Sequence, residues 1–212
     1  MGTRGLVGFH HNGVTKAQYN HFDSYPDGLG QQVLQNLRDA ALSLDQLRAI
    51  FATIVLVTNE RERPTPLQQD QYRRFADTGV STGSLDDWYC LLRETQGGLR
   101  AWLQDGCRHM IDGADFIGDS LSCEYAYVVD LDAGRFEAYR GFQKQLHRDG
   151  RYCAAEPDQY GYYPCRLVRS WPLDQLPTVE ELAAAFDPNS NKDPTGAQIY
   201  INRVKGVRKL EV

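Results

Sequence analysis

Apolar residues recur at two different periods along this chain. Between Gln31 and Leu42 they fall at helical spacing, with Val33, Leu34, Leu37 and Ala41 on one face, whereas before residue 24 and after Cys123 the strand formers dominate. Two runs of strand-forming residues flank Asn12-Gly13 near the start. Both central residues of a type I′ turn need positive φ, so Asn-Gly between such runs predicts a β-hairpin. With a two-residue loop, His11 faces Val14, Leu6 faces Tyr19 and Gly5 faces Asn20. Continued outward, Arg4 faces His21 and Thr3 faces Phe22. Alternation then gathers Arg4, Tyr19, His21 and Asp23 on one side and Thr3, Gln18 and Asn20 on the other.

Downstream, Ser43-Leu-Asp-Gln46 is a capping box that predicts a helix from Leu44 to about Val57, with Leu47, Ile50, Phe51, Ile54 and Val55 facing a core. Thr65 as N-cap and Pro66 at the first helical position predict an amphipathic helix through about Asp77. Ser84-Leu-Asp-Asp87 predicts a cap for a helix carrying Trp88, Leu91 and Leu92, and Gly97-Gly98 separates it from a short segment with Leu99, Trp102 and Leu103. Residues 31–110 thus read as mostly helical. From Cys123 to Gly141 two alternating runs joined by Asp132-Ala-Gly134 predict a second hairpin, and Tyr160–Trp171 predicts another strand. Thr178-Val-Glu-Glu181 caps a helix over Val179–Phe186, and Ala197–Asn202 reads as a last short strand. The order describes one α+β domain over residues 1–212. Its mainly antiparallel sheet comes from the N-terminal hairpin and the C-terminal half, with a helical insertion at 31–110.

Composition narrows the class. A hydrophobic share of 42% with 24% charged residues suits a soluble globular chain. The net charge of −5 argues against general nucleic-acid binding. Arg203, Lys205, Arg208 and Lys209 form a basic tail over residues 203–212. The 5 cysteines are widely spaced and form no C-x-x-C pair, which argues against a zinc knuckle or a disulfide framework. Neither a signal peptide nor a membrane span is expected, and the expected location is cytoplasmic.

Candidate chemistry concentrates at the open end of the first hairpin. There Ser24-Tyr-Pro-Asp-Gly-Leu-Gly30 combines turn formers with two glycines just before a helix. Gly28 and Gly30 at a helix N-terminus are expected to present backbone N–H groups to an anion. Together with Arg4, Asn20, His21, Asp23 and Tyr25 they make the expected ligand-binding set. No metal site is expected, because His10 and His11 point to opposite faces and lie far along the ladder from His21 and Asp23. No cofactor signature accompanies the set.

Two resemblances bear on its use. A strand starting at residue 2 or 3, followed by Asn20-His-Phe-Asp23, resembles the choloylglycine-hydrolase branch of the N-terminal nucleophile hydrolases. That implies attack by the first residue of a processed chain. Gly2 stands where that branch has cysteine, and Thr3 would serve only after removal of Met1 and Gly2. Over the whole chain, Gly2-Thr-Arg-Gly5, the stretch from Tyr19 to Gly30, Glu124–Asp130 and Leu173-x-x-Leu-Pro177 resemble a family of bacteriophage, bacterial and some fungal proteins. Its N-termini read T-R-G/N … D-x-Y-P-x-G-x-G, and it implies no particular reaction. The expectation is a non-catalytic accessory protein that binds an anionic small molecule or a host protein at the hairpin end. The alternative is a hydrolase acting on an amide C–N bond, with Arg4 and Asn20 holding the substrate and Asp23 orienting Arg4.

Overall fold

The computed structural model describes residues 2–59 and 62–187. The chain opens with β1 (Gly5–His11) and β2 (Val14–Asn20), turning at Asn12 and Gly13 with φ of 49° and 76°. Their register pairs His11 with Val14, Leu6 with Tyr19 and Gly5 with Asn20, as the two-residue loop requires. A π-helical turn, Pro26–Gly30, runs directly into α1 (Gln31–Ala40). α2 (Leu44–Thr53) follows with both halves of the Ser43/Gln46 capping box in place.

The expected continuation of this helix to Val57 is corrected by the structure. Ile54 is extended, and Val55–Val57 form β3, paired in parallel with β4 (His109–Ile111) as a separate two-stranded sheet. A short apolar run fits either period, and the β-branched residues here pack better on a pleated surface. Lys16 reinforces the stop from across the core: its ammonium donates to the Phe51 and Ile54 carbonyls at 2.9 and 2.6 Å.

α3 (Pro66–Tyr72) starts at its Thr65/Gln68 capping box and tightens into a 3₁₀ turn at Arg73–Phe75. α4 (Trp88–Leu91) is capped by Asp87, the last residue of the Ser84–Asp87 stretch expected to cap it. The Asp87 carboxylate accepts from the Tyr89 N–H and from the Ser81 and Thr82 hydroxyls, which lie in the preceding turn. α5 (Arg100–Leu103) completes the helical region.

β5 (Tyr125–Asp130), β6 (Arg135–Arg140) and β7 (Arg166–Pro172) then extend the main sheet, and α6 (Val179–Ala185) closes over it behind the Thr178/Glu181 capping box. The five strands lie in the order β2-β1-β5-β6-β7. The sheet is mainly antiparallel, with one parallel pair, β1–β5. That pair forms because residues 21–124 act as one long crossover returning the chain in the direction of β1. One sheet face, with Val7, Phe9, Tyr127, Val129, Phe136 and Trp171, packs under the helices. The other, with Leu6, Ala17, Ala126, Val128, Tyr139 and Leu167, packs against Ile117, Cys123 and Cys165. The expected strand at Ala197–Asn202 and the basic tail lie outside the described residues. Among those described, no helix is long and apolar enough to cross a membrane.

Candidate functional site

The hairpin register brings the expected residues to one end of the sheet, but the tertiary fold gives them different tasks. Asn20 is buried, and its amide donates to the Phe22 carbonyl and, at 2.8 Å, to the Ser24 hydroxyl. Ser24 is itself fully buried; its N–H donates to the Thr3 carbonyl and its carbonyl accepts from the Tyr127 hydroxyl. Asn20 therefore holds the bend at Phe22–Ser24, where Asp23 takes φ of 53°. Arg4 is exposed, and among the described residues no ion pair links it to Asp23. Asn20 and Asp23 come together along one cleft wall, and Arg4 is not among the residues that line it. His21 bonds to the Tyr19 hydroxyl at 2.7 Å and packs edge-on against Phe22. The Tyr25 ring leans on Tyr125.

The expected anion cradle at Gly28 and Gly30 is also corrected. The N–H groups of Gly28 and Gly30 donate to the Tyr25 carbonyl, and that of Leu29 to the Asp23 carbonyl at 2.8 Å, so none is left for a ligand. The glycines serve close packing instead. A Cβ on Gly28 would sit 2.2 Å from the Asp23 carbonyl oxygen, and one on Gly30 would meet Leu182 and the Tyr127 ring at 2.8 and 3.0 Å.

What the bend does build is one wall of an open cleft of about 550 Å³. Asn20, Phe22, Asp23, Asp27 and Gly28 lie along this wall, and Asp77, Arg93, Glu94 and Gln96 face them. Two buried amides fix the far wall. Gln18 donates to the Thr95 carbonyl at 2.7 Å and accepts from its hydroxyl at 3.0 Å. Asn36 accepts from the Leu99 and Arg100 N–H groups. A second recess of about 510 Å³ shares Gln32, Glu94, Gln96 and Gly97 as its wall. Four carboxylates and one guanidinium line the first cleft, and Arg93 already donates to Gln96. Its field favours a positively charged group.

A polar network on the opposite sheet face escaped the sequence reading. Arg151 donates to Asp130 at 2.8 Å and to both oxygens of Glu137 at 2.7 Å, and the Tyr139 hydroxyl donates to Glu137. Burial pushes the Glu137 carboxyl above its usual range, with Arg151 opposing. Burial disfavours the Arg151 charge as well, but the attraction of Glu137 and Asp130 outweighs it and raises the group further. Beside it the His10 ring bonds to Thr15 at 2.9 Å, and Thr15 to the Tyr152 hydroxyl. Charged residues at Asp130 and Glu137 within apolar strands were the available signal. Arg151 sits in a loop without periodicity and gave none. At the hairpin tip Asp132 bonds His11 at 2.6 Å and takes the Asn12 N–H on both oxygens. Partial burial works against its charge, yet these bonds hold it below the ordinary carboxylate value. Among the described residues no group of three or more His, Cys, Asp or Glu is placed to hold a metal ion.

Compared with known proteins, the chain matches no family model, no curated protein and no solved structure.

Proposed function

We propose that the protein is a binding protein whose ligand occupies the cleft between the 20–32 bend and the 93–97 segment. The observation that supports this is a concave space of about 550 Å³ whose two walls are held by buried, hydrogen-bonded amides before any ligand arrives. Among the described residues its lining carries Asp23, Asp27, Asp77 and Glu94 against Arg93 alone, with the exposed Phe22 as apolar surface. The ligand class that fits is a small molecule bearing a positively charged nitrogen on a partly apolar body, in place of the anion expected from the glycines. The stretch that resembles phage and bacterial proteins supplies one wall.

A hydrolase of the N-terminal nucleophile type is less well supported. Among the described residues the cleft lining contains no hydroxyl, thiol, lysine or imidazole, and Asn20 spends its amide on the Phe22–Ser24 bend.

The test is a thermal-shift screen of organic amines against carboxylates and nucleotides, repeated on Asp27→Asn/Glu94→Gln. Amines should raise Tm in the wild type and lose about tenfold in affinity in the double variant. Stabilisation by anions alone, or an amine effect untouched by the double substitution, would overturn the reading.

A further inference from the structure

Two arginines, Arg140 and Arg166, flank the excursion between β6 and β7, and Lys144 lies just inside it. Arg140 and Arg166 stand directly opposite each other across β6 and β7. Like charges in that relation are destabilising unless something shared offsets them. Among the described residues, neither arginine nor nearby Lys144 makes an ion pair. Arg140 lies over the Tyr125 ring at 4.4 Å and Lys144 over the Tyr162 ring at 5.3 Å, contacts that orient a cation without neutralising it.

Lys144, His147 and Arg166 line one pocket of about 380 Å³, together with Phe142, Leu146 and two glutamines, and among the described residues no carboxylate is in its walls. Among the described residues the Arg166 Nε and the His147 Nδ1 are both buried without a hydrogen-bond partner, while the other ring nitrogen of His147 is bonded to the Pro164 carbonyl at 2.8 Å. Arg166 and Lys144 thus give the pocket two cationic side chains with no carboxylate among the described residues of its lining. The apolar side is exposed: Phe142, held at φ of 58°, is 45% exposed and Leu146 is 53% exposed.

We propose that this pocket binds the phosphate of a small organic phosphate monoester, with its apolar body against Phe142 and Leu146. A guanidinium and an ammonium suit the phosphate oxygens. A phosphate there places negative charge beside Arg166 and offsets its repulsion with Arg140.

Calorimetric titration with phenyl phosphate tests the assignment, with inorganic phosphate and phenol as the two halves of the probe. Phenyl phosphate should bind saturably and more tightly than inorganic phosphate, and phenol should not bind. Arg166→Gln and Lys144→Gln should each weaken binding about tenfold. Arg166→Gln should leave Tm unchanged or raised, because it removes the Arg140 repulsion; Lys144→Gln, at an exposed position, reports independently of the sheet. Absence of saturable phenyl phosphate binding, or unchanged affinity in both variants, would overturn the proposal. Unchanged amine binding at the 20–32 cleft in these variants would show that the two sites are separate.

Discussion

At the scale of single residues, Arg151 and Asn20 show how strongly context decides a polar group's task. Arg151 faces Asp130 and Glu137, whose side chains are only 3% and 1% exposed. Removing one partner of a buried ion pair costs more than the pair contributes, because a desolvated charge is left behind. Arg151→Met should therefore lower the unfolding free energy by about 3–5 kcal/mol, read from urea denaturation. Adding Glu137→Gln to that variant should recover part of the loss. A change within about 0.5 kcal/mol would mean the network is not the buried anchor it resembles. Asn20 was legible as a polar residue at the hairpin's open end. That its amide would be consumed by Phe22 and Ser24 was not, since the bend closes only when Tyr127, far along the chain, supplies its hydroxyl to Ser24.

At the scale of elements, the capping boxes at Ser43, Thr65 and Thr178 are local chemistry, and the helices begin where the sequence places them. The miss here is equally physical. α2 gives way to β3 at Ile54 because His109–Ile111 is there to pair with it, a partner some fifty residues away. Within the Ser84–Asp87 stretch it is Asp87 that caps α4, and its carboxylate also gathers Ser81 and Thr82 from the preceding turn. The cleft depends on one joint between elements: Gln18 of β2 grips Thr95 through two bonds. Gln18→Ala leaves the Thr95 carbonyl without this donor in a buried place and should cost about 1–3 kcal/mol. Hydrogen exchange should rise around residues 93–97 first, before the sheet is affected. Uniform loss of protection across the sheet would contradict this division.

At the scale of the whole molecule, pH tests how the two layers on either side of the sheet are sealed. Burial lowers the His10 value, with Arg151 adding to the effect, and burial lowers that of His109, which bonds to Tyr72 at 2.8 Å. Each resists protonation when folded and accepts it near pH 6.5 when unfolded. Their contribution is thus complete above about pH 6.5 and is lost as pH falls through the lower folded values. Glu137, raised by burial, acts in the opposite sense at lower pH, so the informative quantity is a difference. The fall in Tm between pH 7.5 and 5 should be shallower in His10→Gln/His109→Gln than in the wild type; identical slopes would refute the assignment.

The primary sequence on its own determined what rests on neighbours a few residues apart. That includes the Asn12-Gly13 hairpin and its register, three helix starts, the β5–β6 hairpin and the α+β order. These follow from φ preferences, capping and periodicity, which need no distant partner. Only the tertiary structure decided the parallel β1–β5 pair, the β3–β4 sheet and which polar groups are consumed and which face space. Those outcomes depend on residues such as Gln18 and Thr95, or Arg140 and Arg166, meeting across long stretches of chain, and burial then sets the energy of each encounter.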